Sequence, residues 1–148
     1  MSASSRACYR LLRHYKYQLR DDFAVRIDLA PSEPVAHPFV SLAQDGLLAL
    51  RAGYAWDGPS GPAIDTRNFM RASLVHDALY QLMRLGLLDH RRWRRNADEV
   101  LRTLCLEDGM SALRAGLAYH AVRLFGAHHA APRTHRDAPV TCVPETKS

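Results

Sequence analysis

His76, Asp77, Tyr80 and Asp98 are the residues of this chain whose types and spacing could do chemistry. The first three stand inside an otherwise apolar run, SLVHDALYQLM, and Asp98 follows in RRNADEVL. Residues three and four apart share a helix face, so Tyr80 lies one turn from both His76 and Asp77. The chain then turns near Gly86-Leu87. If a second helix packs antiparallel to the first, positions whose numbers sum to about 174 lie level. That sets Asp98 beside His76. A carboxylate aimed at an imidazole fixes its tautomer and stabilises the imidazolium, and the other ring nitrogen can then take a proton from water or a hydroxyl. Asp77 points beside His76 rather than at it, and its carboxylate suits a hard cation such as Ca²⁺. Such an ion polarises an ester or phosphoryl oxygen as charge develops on it. Tyr80 would hold Asp98 or the network around it. The competing expectation is structural, because a His-Asp pair on a helix also serves as a salt bridge or a satisfied core histidine.

An ion site needs further oxygen ligands, and the stretch just upstream offers them. Gly53 to Asp65, GYAWDGPSGPAID, has three glycines and two prolines in thirteen residues. That composition excludes a helix and a central strand. Glycines let backbone carbonyls approach an ion, so Tyr54, Trp56 and Gly58 are candidate ligands, with Asp57 adding a carboxylate. An ordinary strand-to-helix linker has the same composition.

The elements that must position these residues read as follows. Asp65 or Thr66 can cap a first helix reaching about Leu85, with Phe69, Leu74, Leu79, Leu82 and Met83 as its apolar members. Asp89 can cap a second helix to about Glu107, with Val100, Leu101, Leu104 and Cys105 as its buried stripe. Arg91, Arg92, Arg94 and Arg95 crowd its start, where the helix dipole disfavours positive charge. They read as a solvated face or as phosphate contacts. Ser111 can cap a third helix to Phe125-Gly126, with Leu113, Leu117, Val122, Leu124 and Phe125 as its apolar members. Upstream, Tyr15 to Leu29 alternates apolar and polar residues around Asp21-Asp22, as two short strands of a hairpin would. Phe39 to Leu42 and Leu47 to Ala55 form a second strand pair around Gln44-Asp45-Gly46. From Ala127 onward periodicity is lost, and residues 127–148 read as a disordered or loosely attached tail.

The whole chain narrows the choice. With 148 residues, 47% of them hydrophobic, it is of single-domain length and can build a core without staples. It has no apolar run of about 18 residues and no secretory h-region, so the expected location is cytoplasmic when made. Cys8, Cys105 and Cys142 show neither a disulfide framework nor a metal-ligand spacing. The net charge of +5 favours anionic partners such as lipid head groups, without a specific nucleic-acid signal.

Two resemblances join these residues. A glycine loop, then HDxxY, then a helix carrying Asp resembles the phospholipase A2 superfamily, most closely its disulfide-poor, parvoviral-type branch. The matching residues are Tyr54…Gly58-Pro59-Ser60-Gly61, His76-Asp77-Ala78-Leu79-Tyr80 and Ala97-Asp98-Glu99-Val100-Leu101. The resemblance implies His76 as base, Asp98 as its partner and Asp77 as a calcium ligand. Pro59 and Pro62 depart from that family's calcium loop, and a strand region precedes the motif where secreted members have a helix. Over roughly residues 15–126 the chain is also similar to an uncharacterised family of bacteriophage and prophage proteins. Gly53 to Ser60, Val75 to Tyr80, Ala97-Asp98 and Ala121 to Gly126 carry that likeness.

The expected fold is α+β, with a small N-terminal antiparallel sheet followed by three helices centred on an antiparallel pair, as one domain over residues 1–126. The expected function is a phage-type, phospholipase A2-like hydrolase of phospholipid esters, calcium-assisted and in contact with a membrane surface. Two alternatives stay open. One is a non-catalytic phage structural or accessory protein, virion-associated or bound to a phage or host protein, with a buried His-Asp network. The other is a hydrolase directed at the cell wall.

Overall fold

In the computed structural model the described residues are 7, 9–11, 17–56 and 67–132. Two small antiparallel sheets come first. Strands β1 (Tyr9–Leu11), β2 (Tyr17–Leu19) and β7 (Ala55–Trp56) form one, in the order β1-β2-β7. Strands β3 (Phe23–Arg26), β4 (Val35–Ala36), β5 (Val40–Leu42) and β6 (Leu47–Leu50) form the other, in the order β3-β6-β5-β4. Alternation built them: Phe23, Val25, Val40, Leu42, Leu48 and Leu50 point into the core, while Ser41 and Arg26 point out. The pair β5–β6 is the predicted one, with Val40 opposite Leu50 and Leu42 opposite Leu48.

The predicted hairpin across Asp21-Asp22 is not formed. Strands β2 and β3 exist on either side of that turn, but β2 pairs with β1 and β7, and β3 pairs with β6. Asp22 explains the parting, since its carboxylate accepts from the backbone N–H of Ala52 at 2.8 Å and fixes the crossing between sheets. The glycine-rich stretch opens with β7, an edge strand, and its remainder, residues 57–66, lies outside the described residues.

Among the described residues four helices follow: α1 (Arg67–Arg84), α2 (His90–Glu107), α3 (Ala112–Phe125) and α4 (Ala127–Ala130). The α+β class and the central α1–α2 pair match the expectation. Gly86 ends α1 with a φ of 71°, which a side chain rarely adopts. The N–H groups of Gly86 and Leu87 return to the carbonyls of Met83 and Leu82 at 3.0 and 2.9 Å. This closes orphan carbonyls and turns the chain back on itself. The Asp89 carboxylate starts α2 by accepting from the Arg91 N–H at 3.0 Å, and the Ser111 hydroxyl starts α3 by accepting from the Arg114 N–H at 3.3 Å. At the far end of the pair Arg71 grips Asp108 with two hydrogen bonds, 3.0 and 2.9 Å, and reaches Glu107 at 2.9 Å. A bidentate fork of this kind fixes the register of α1 against α2 as well as their approach.

Leu74, Leu79, Leu82 and Met83 of α1 and Leu101 and Leu104 of α2 are all buried in the core. Cys105 is buried among them as a free thiol, pushed up to about 11 by burial and by the nearby charge of Asp108, which makes it a packing residue at neutral pH. Residues 127–130 depart from the expected loose tail: they form α4, which packs on α1 with Ala130 fully buried. Four small and polar residues carry no readable helical period, so this turn was hidden from pattern reasoning.

Candidate functional site

The helical hairpin brings His76 and Asp98 together as their numbering implied. His76 Nε2 lies 2.7 Å from Asp98 Oδ1. The Tyr80 hydroxyl, one turn further along α1, donates to the same oxygen at 2.6 Å, and its ring lies 4.1 Å from the imidazole, centre to centre. With Asp98 ionised, Nε2 must carry the proton, which leaves Nδ1 as the acceptor nitrogen of the ring.

Two residues of this site were missed by the sequence reading. Arg123 of α3 donates to Asp98 Oδ2 at 2.9 Å. Arg94 stands 4.0 Å from the same oxygen, donates to the Tyr80 hydroxyl at 3.3 Å, and caps α3 through the carbonyls of Val122 and Arg123 at 3.0 and 2.6 Å. Arg94 is therefore no part of a solvated face. Its place four residues before Asp98 was the available signal, since i and i+4 share a face. Arg123 had only its place within Ala121–Gly126 to mark it. Gly126 belongs here too. A Cβ on it would stand 2.8 Å from the Tyr80 hydroxyl and 2.5 Å from the Val122 carbonyl, so only hydrogen fits.

Asp98 is completely buried, and His76 and Tyr80 are 7% and 4% exposed. Burial alone would raise the Asp98 carboxyl, but hydrogen bonds from His76, Tyr80 and Arg123 outweigh it and hold the group below its ordinary 3.8. Burial and the adjoining Asp98 charge push the Tyr80 phenol well above its usual range, so it stays a donor. A carboxyl held low in the fold stabilises the fold fully above its unfolded value, and this contribution is lost as pH falls through the folded value. Thermal melting of the wild type should therefore fall steeply below about pH 4, and an Asp98→Asn variant should show a shallower acid decline from a lower starting point.

Asp77 faces away from this network into an open cleft of about 370 Å³, shared with Tyr54, Trp56, Phe39, His37 and Arg84. The candidates Asp77, Tyr54 and Trp56 thus come to one place, while Asp57 and Gly58 lie outside the described residues. The Tyr54 carbonyl already accepts from the Leu19 N–H at 2.8 Å, and the Trp56 indole donates to the Ser73 hydroxyl at 3.3 Å. β7 pairing therefore commits part of the expected ligand set to the sheet. Among the described residues no group of three or more His, Cys, Asp or Glu side chains stands ready for a metal. Among the described residues the carboxylate in this cleft that fits a hard cation is Asp77. No helix among the described residues is long and apolar enough to cross a membrane.

No curated protein and no solved structure matches the chain. Residues 35–122, more than half of it, match a family described as a protein of unknown function (DUF1353), and that span contains His76, Asp77, Tyr80, Arg94 and Asp98. The chain belongs to the DUF1353 family.

Proposed function

We propose that this protein is a phospholipase A2-like hydrolase acting on ester bonds of phospholipid. The observation that carries the reading is Asp98 Oδ1, which takes hydrogen bonds from both His76 and Tyr80. This fixes Nδ1 as the free basic nitrogen of a histidine one residue from a cleft-lining carboxylate. His76 Nδ1 takes a proton from water as the water attacks the ester carbonyl, and the imidazolium returns that proton to the glycerol oxygen as its bond to the acyl carbon breaks, releasing fatty acid and lysophospholipid. Asp98 stabilises the imidazolium that forms, and Arg123 and Tyr80 keep Asp98 ionised and in place. Asp77 is the cleft residue that would hold a divalent cation such as Ca²⁺, with Asp57 and Gly58 as further candidate ligands. A bound cation supplies positive charge for the developing oxyanion. The likeness to bacteriophage proteins supports a role in an infection, as a membrane-damaging activity during entry or lysis.

The test is fatty-acid release from phosphatidylcholine and phosphatidylglycerol vesicles, with Ca²⁺ and with a chelator. Release that depends on Ca²⁺ is expected. No release from either lipid class under any condition would remove the proposal.

One observation favours a second reading. Asp98 is sealed from solvent with its partners satisfied, and Asp77, rather than His76, lines the cleft. A satisfied buried network can serve to fix a unique fold in a non-catalytic phage structural or accessory protein. Under that reading substitutions at His76 change stability and nothing else.

A further inference from the structure

Helix α3 is more apolar on its outward side than on its inward side. Leu113, Leu117, Leu124 and Phe125 are 74%, 62%, 75% and 71% exposed. Among the described residues of α3, Ala115 alone is buried. On a helix with 3.6 residues per turn, positions 113, 117, 120 and 124 fall within about 60° of one another, with Ala115 on the opposite side. The four large side chains leave on the order of 500 Å² of apolar surface in water, near the upper limit for a protein that stays alone.

The segment after α4 offers little apolar cover. Helices α2 and α4 pack on the inward side. Residues 133–148 read RTHRDAPVTCVPETKS, in which Val140 and Val143 are the only branched aliphatic residues. The stripe is, however, complementary to itself. In an antiparallel pairing about a two-fold axis between residues 118 and 119, Leu113 lies level with Leu124 of the second copy, and Leu117 lies level with His120. Each contact occurs twice, as an isologous interface requires. Two such faces bury about 1,000 Å² before their flanks are counted, close to the lower bound of specific interfaces.

We propose that α3 is a homodimer face, on which two copies pair antiparallel through Leu113, Leu117, His120 and Leu124, with Phe125 at the edge. Sedimentation equilibrium of the full chain across the micromolar range tests it. The wild type should dimerise within that range. Leu117→Glu and Leu124→Glu should each weaken the dimer at least about tenfold, with helical content unchanged, since both side chains stand in water in the monomer. Mixing Leu113→Lys with Leu124→Glu should restore a heterodimer, because this register sets the new charges opposite each other. A wild type that stays monomeric throughout overturns the proposal, and failure of the charge pair to restore association overturns the register. A monomer that binds anionic vesicles through the same leucines overturns it as well, by making lipid the occupant.

Discussion

Replacing Asp98 with alanine is expected to lower the free energy of unfolding by about 3–5 kcal/mol, the cost of removing one partner from a buried ionic cluster. In a chain of this size that is a fall in melting temperature of roughly 10 °C. The carboxylate holds three helices at one point: His76 and Tyr80 on α1, Arg94 on its own helix α2, and Arg123 on α3. Without it, the Arg123 guanidinium has no countercharge there, and two donors on α1 face a cavity. Tyr80→Phe removes one donor and should cost only about 1 kcal/mol. Urea unfolding of the two variants beside the wild type checks the order. Equal midpoints for Asp98→Ala and wild type would mean that apolar packing alone sets the helix register.

Changing Asp77 to asparagine should have the opposite profile. The side chain lines the open cleft and is only partly buried, and asparagine keeps its volume and one oxygen. Stability should stay within about 1 kcal/mol of wild type, as at other partly exposed positions. Hydrolysis should fall by about 100-fold or more, since Asp77 is the carboxylate among the described cleft residues at which the proposed cation would be held to stabilise the oxyanion. The remaining rate should respond little to Ca²⁺. Fatty-acid release measured against Ca²⁺ concentration for both proteins gives the comparison. A variant with wild-type rate and wild-type calcium response would remove Asp77 from the site.

How much of this was legible in the sequence depends on how local the signal is. The meeting of His76 with Asp98 was readable because one short turn and a constant helical rise fix the register of a hairpin. The caps Asp89 and Ser111 were readable because each acts within a few residues of itself. Arg123 was not, because its partner lies 25 positions away on another helix and nothing in the periodicity of α3 marks it. The parting of β2 from β3 was hidden for a similar reason. Alternation reveals a strand but not its neighbour, and here the neighbours lie as far along the chain as Trp56 and Leu50. Leu113, Leu117, Leu124 and Phe125 were legible as apolar but not as exposed, since pattern cannot tell which side of an apolar helix meets the core.

The central claim is that the buried pair of His76 and Asp98 activates water. The most direct measurement is the initial rate of fatty-acid release by wild type and His76→Gln at equal concentration in Ca²⁺, with melting of both proteins recorded. Glutamine can still hydrogen-bond to Asp98 but cannot accept a proton in the working range. The account predicts a folded variant whose rate is lower by at least about 100-fold. Equal rates in the two proteins, or a wild type with no activity to lose, would contradict it.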